Sequence, residues 1–175
     1  GFVIKFKEGD DYTKIFKYTE PVEVTRGAIV DLGDISDEIQ HYDNPFSKDV
    51  KDLDTVGNAN CYIINEPGSY KFKAVNGNEP TNYLQDVDDA VIIWETWNDN
   101  SEVEPNSVLA HASFAEDFII LRTPATLHPG NALVAARDES GKILWSWHIW
   151  IPETTIVTAN FSGILGVDVM DRNLG

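Results

Sequence analysis

Residues 142–152 read KILWSWHIWIP, a run that holds three tryptophans and one histidine. In an extended strand successive side chains point to opposite faces. Ile143, Trp145, Trp147, Ile149 and Ile151 then share one face, and Lys142, Leu144, Ser146, His148 and Trp150 share the other. The first set is wholly apolar and is expected to be the core face. A helical period would scatter the same residues around a cylinder. A buried indole removes more apolar area from water than most side chains, provided its N–H finds an acceptor. Trp145 and Trp147 are therefore expected to be packing anchors.

The same period of two runs along most of the chain. In GSYKFKAV, Tyr70, Phe72 and Ala74 alternate with Ser69, Lys71 and Lys73. Further strands are expected at 2–6, 12–18, 22–26 (VEVTR), 60–64, 90–97, 107–114 (SVLAHASF), 118–123 and 131–137, all rich in β-branched and aromatic residues. Turn chemistry separates them: EGDD at 8–11, EPGS at 66–69, NGNEP at 76–80, HPG at 128–130 and DESG at 138–141. No stretch carries a helical stripe, and SDEIQHY at 36–42 has room for a single turn. Short strands at intervals of about ten residues, without crossover helices, point to an all-β antiparallel sandwich.

A length of 175 residues suits one main domain. Residues 34–54 are acidic and poor in strand formers, which divides the chain into N-terminal strands at 1–35, a separate set or part of the sandwich, a linker or long loop at 36–57, and a sandwich at 58–175. The last apolar run stops in mid-pattern at Gly175, as expected of a sandwich cut off before a further domain.

Lys and Arg number 13 against 29 Asp and Glu, a net charge of −16 that repels phosphate backbones and anionic headgroups. Nucleic acid and membrane surfaces are therefore not expected as partners, and no apolar run reaches the length of a transmembrane helix. Cys61 has no second cysteine to pair with, and within the apolar stretch CYII it reads as a small buried hydrophobe.

Signatures of phosphate loops, serine elbows, zinc proteases and dinucleotide folds are all lacking. His41, His111, His128 and His148 fall singly on different elements, so a zinc site would need them to converge through folding. Asp99, Ser101 and Glu104 in NDNSEVEPN offer oxygen ligands for calcium, without the glycine and closing glutamate of an EF-hand loop. No carboxylate pair is singled out for glycoside hydrolysis. No catalytic residue and no cofactor is expected.

Trp150 and His148 share the polar face of their strand, where an indole can lie flat against a sugar or be covered by a loop. With Trp94 and Trp97 they form the candidate set for a carbohydrate-binding module.

Three segments, NANCYIINEPGSYKFKAVNGN (58–78), GNALVAARDESGKILWSWHIWIP (130–152) and VMDRNLG (169–175), together resemble a module of Bacteroidetes cell-surface proteins found beside fimbrillin-like and adhesin-like domains. The N-terminal IKFKEGDDYTKIFKYTEPVEVTRGAIVDLGDI looks like the closing strands of a fimbrillin-like domain. The resemblance implies an immunoglobulin-like sandwich in an exported, lipid-anchored surface or fimbria-associated protein. It also implies surface or fimbrial domains as partners, with glycans as the alternative, and no catalytic residues. Asp54-Thr55-Val56 matches the short O-glycosylation pattern of such bacteria.

Overall fold

The computed structural model describes residues 2–9, 11–19, 21, 31–77, 79–97, 103–154, 156, 158–160 and 168–170. Across them the protein is all-β, and helix is limited to two 3-10 turns, Ser36–Glu38 and Leu53–Val56. The first of these is the single turn that SDEIQHY allows. The strand expected at 22–26 lies outside the described residues.

Three strands open the chain: β1 (Phe2–Glu8), β2 (Asp11–Tyr18) and β3 (Gln40–His41), paired antiparallel in that order. The sandwich follows. One of its sheets runs β4 (Val50–Asp52), β6 (Ser69–Lys73), β9 (Phe118–Arg122), β8 (His111–Ala115); the other runs β5 (Cys61–Ile63), β11 (Ile143–Ile151), β10 (Gly130–Arg137), β7 (Asp89–Trp97). Near the C-terminus β12 (Thr158–Asn160) pairs with β13 (Asp168–Met170).

The core is the set of inward residues that the two-residue period marks out. Phe72 from one sheet lies between Tyr62 and Trp147 from the other, with ring centroids 4.4 and 5.2 Å apart. Ile119, Leu121, Val134 and Ile149 close around them, fully buried. Gly130 starts β10 opposite Trp97 of β7, and a Cβ there would collide with the Thr96 carbonyl oxygen, so no larger residue fits without a backbone shift.

The face assigned to KILWSWHIWIP holds for Trp147, Ile149 and Ile151 and fails at the start of the strand. Ile143 is 49% exposed, and Trp145 is half-buried at the core margin. The cause is unequal flanking: β5 pairs only with His148–Trp150, leaving the first half of β11 without a neighbour on that side among the described residues.

Three further differences have local causes. The sheets are mixed rather than purely antiparallel, because β5 runs parallel to β11 and β4 parallel to β6. Parallel neighbours need a crossover, and the chain provides one by visiting the opposite sheet at β5 between β4 and β6. The strand expected over 107–114 begins only at His111, because the backbone N–H groups of Asn106, Val108 and Leu109 donate to the Glu95 carboxylate at 2.5, 2.9 and 2.8 Å. Finally, residues 36–57 are no free linker. They contribute β3 to the N-terminal sheet and β4 to the sandwich, so the sandwich starts at Val50 rather than at residue 58.

Asp54 ties this segment down. Its carboxylate accepts hydrogen bonds from Tyr62 Oη (2.5 Å), Asn58 Nδ2 (2.8 Å) and the Lys73 backbone N–H (2.7 Å). Burial and the Asp54 hydrogen bond both push the Tyr62 hydroxyl above its ordinary range, so it stays a donor.

Candidate functional site

The four aromatic candidates do not form one platform. Trp150, His148 and Trp94 lie on the outer face of the β5-β11-β10-β7 sheet, where β10 presents Asn131 opposite Trp150 and Leu133 between His148 and Trp94. Trp150 is only 8% exposed, leaving no open ring face for a sugar. Trp94 is 43% exposed, so of the two indoles on this face it is the open one. Trp97 turns inward against the core margin and packs on the His128 ring at 5.3 Å.

His148 is held on both sides. Its Nε2 lies 2.9 Å from Asn131 Oδ1, and its Nδ1 lies 3.4 Å from Cys61 Sγ. Burial lowers the imidazole pKa and raises that of the thiol, so both groups are neutral at rest.

A second constellation joins the N-terminal sheet to the sandwich. Asp43 follows β3, and its side chain is 12% exposed. One carboxylate oxygen meets His111 Nε2 at 2.9 Å and Ser113 Oγ at 2.6 Å; the other meets Arg122 Nη2 at 2.7 Å and His41 Nε2 at 3.0 Å. Burial pushes the Asp43 carboxyl up, but the hydrogen bonds from His111, Ser113 and His41 outweigh it and hold it well below the usual carboxylate range. Beside it Lys5 of β1 pairs with Glu116 and donates to Tyr42 Oη at 3.0 Å. The hydrogen bond to Glu116 raises the Lys5 pKa and lowers that of Glu116, which keeps both charged. A cleft of about 420 Å³ opens here between the sheets, lined by Lys17, His41 and Asp88 together with Val3, Ile15 and Phe114.

Ser, His and Asp meet at this junction without forming a nucleophilic relay. Such a relay needs the hydroxyl to donate to the imidazole, whereas Ser113 and His111 both point at the same oxygen of Asp43. The arrangement holds an arginine, two histidines and a serine on a single, mostly covered carboxylate, a chemistry suited to fastening two sheets.

Of the calcium candidates, Asp99 and Ser101 lie outside the described residues, and Glu104 is exposed. Among the described residues no group of three His, Cys, Asp or Glu side chains is placed to hold a metal ion. Thr55 is exposed, while its neighbour Asp54 is consumed by the hydrogen bonds described above.

Asp43, Asn131 and Cys61 were not legible as site residues. Asp43 reaches partners 68 to 79 positions away, and Cys61 lies 87 positions from His148. Strand parity places His148 on the outer face but is silent on which strand lies beside it. No family model, curated protein or solved structure matches the chain.

Proposed function

We propose that this chain is a non-enzymatic structural or adhesive module of a cell-surface or fimbria-associated protein, an immunoglobulin-like sandwich that carries a docked N-terminal sheet. The observation that supports this reading is the Asp43 junction. Four side chains from β3, β8 and β9 converge on one carboxylate, and Lys5, Tyr42 and Glu116 add a second polar tie alongside. Charge-assisted hydrogen bonds to a mostly covered carboxylate resist separation more than fully exposed pairs do. Such a junction gives a connector that keeps its two ends in fixed relation. The partners on this reading are neighbouring surface or fimbrial domains, and the acidic exterior keeps copies apart in solution.

A carbohydrate-binding module is the second reading, and Trp94 is the observation in its favour, because its ring is exposed on the outer face of the sheet and its sequence neighbour Ile93 is exposed as well. Antibody labelling of intact source cells tests the location, and a glycan array with the purified chain tests the activity. Surface labelling with a blank array is the expected result. A glycan signal that Trp94→Ala abolishes would replace the structural reading with the second one, and absence of surface label would remove both.

A further inference from the structure

Cys61, His148 and Asn131 come from three adjacent strands, β5, β11 and β10, and share the outer face of one sheet. Cys61 is paired directly with His148 across the parallel β5–β11 ladder, and Asn131 lies one strand further, on the diagonal. Asn131 Oδ1 accepts a hydrogen bond from His148 Nε2 at 2.9 Å, which keeps the imidazole proton on Nε2. The lone pair is then on Nδ1, 3.4 Å from Cys61 Sγ. Thiol, base and orienting amide thus stand in series, the sequence of roles by which a weakly acidic nucleophile is activated.

We propose that Cys61 is a reactive thiol site that exchanges with small external disulfides, with His148 as its general base and Asn131 as the residue that positions the imidazole. As Cys61 Sγ attacks one sulfur of RS–SR, His148 Nδ1 takes the thiol proton. The S–S bond breaks and the Cys61–S–SR bond forms. The departing thiolate takes the proton from the imidazolium and leaves as RSH. One disulfide is consumed and one is made, so no outside oxidant is needed. The reagent class follows from the surroundings. The thiol is half-buried on a face shared with Ile63 and Trp150, which requires a small reagent, and a chain of net charge −16 repels anionic ones. Uncharged or cationic disulfides fit. This site is independent of the structural reading above and stands or falls separately.

The test is the rate at which the folded chain reacts with 4,4′-dithiodipyridine and with cystamine across a pH series, with dithiodipropionate as the anionic control. The expected wild-type profile flattens between the titrations of imidazole and thiol. A free thiol instead slows about tenfold for each pH unit below its pKa. His148→Gln is expected to lose that plateau and to react at least about tenfold more slowly at pH 7. Asn131→Ala is expected to lose part of the rate, and Asn131→Asp, which keeps an acceptor for Nε2–H, to restore it. Dithiodipropionate is expected to be the slowest reagent. The proposal is overturned if wild type shows the free-thiol slope throughout, if Cys61 reacts only after denaturation, or if folded His148→Gln reacts within twofold of wild type. The wild-type profile decides the matter even where a variant fails to fold.

Discussion

Asp43 and Arg122 stand 79 positions apart in the chain and meet at 2.7 Å, one at the end of the N-terminal sheet and the other at the end of a sandwich strand. Arg122, His111 and His41 are each close to half exposed or more, whereas the Asp43 carboxylate is mostly covered. The energy of the junction therefore sits with the anion. Its partners, each partly open to solvent, can find water when it is removed, whereas the carboxylate is the group that all of them share.

Asp43→Ala is accordingly expected to destabilise the chain by about 2 kcal/mol, the range for hydrogen bonds to a charged group. The effect is expected to be local first. Limited proteolysis should cut the mutant faster between residues 31 and 49, releasing β1 and β2 while a piece beginning near Val50 resists. Identical digestion of mutant and wild type would show that the two sheets are held by something other than this carboxylate.

The same group predicts an acid response. A carboxyl whose folded pKa lies below its unfolded value of about 3.9 contributes stability that is present above that value and lost as pH falls through the folded one. Wild type is expected to lose melting temperature progressively below about pH 5. Asp43→Asn carries no such carboxyl and is expected to start lower and fall less over the same window. Parallel melting curves, pH by pH, would contradict the assignment.

Trp147 tests the core. It is fully buried, and its Nε1–H meets no acceptor among the described residues. Trp147→Ala is expected to cost about 3–5 kcal/mol from lost burial and the cavity left behind. Trp147→Phe also removes an unpaired donor, whose burial itself costs about 1–3 kcal/mol. It is therefore expected to cost clearly less. Urea titration of both variants checks the order, and a Phe variant as unstable as the Ala variant would mean that the indole N–H is satisfied.

The period of two carried most of the fold, because alternation is a local property, and β6 shows it from end to end, buried and half-buried residues taking turns. What it could not carry was decided by distant partners. Trp145 obeys the pattern yet stops at half burial, and its Nε1 donates to Asn60 Oδ1 at 3.1 Å, since among the described residues that end of β11 is flanked by β10 on one side and by no strand on the other. Val108 and Leu109 read as strand, but their backbone donors are claimed by Glu95, a residue on another strand. The site suffered more than the fold. A histidine's parity is written in the sequence, whereas the cysteine beside it depends on which strand docks parallel at the edge.

Trp150 and Trp94 share one outer face and differ in burial, 8% against 43% exposed, and this separates structure from binding. Truncating a covered indole leaves a cavity, whereas the space left by an open one is filled by solvent. Trp150→Ala is thus expected to lose about 3 kcal/mol or more of stability. Trp94→Ala is expected to stay within about 0.5 kcal/mol of wild type. Chemical denaturation of the two variants measures the contrast directly. If Trp150→Ala were neutral and Trp94→Ala costly, the cover would lie over β7 rather than over the end of β11, and the exposed ring available to a ligand would be Trp150 after all.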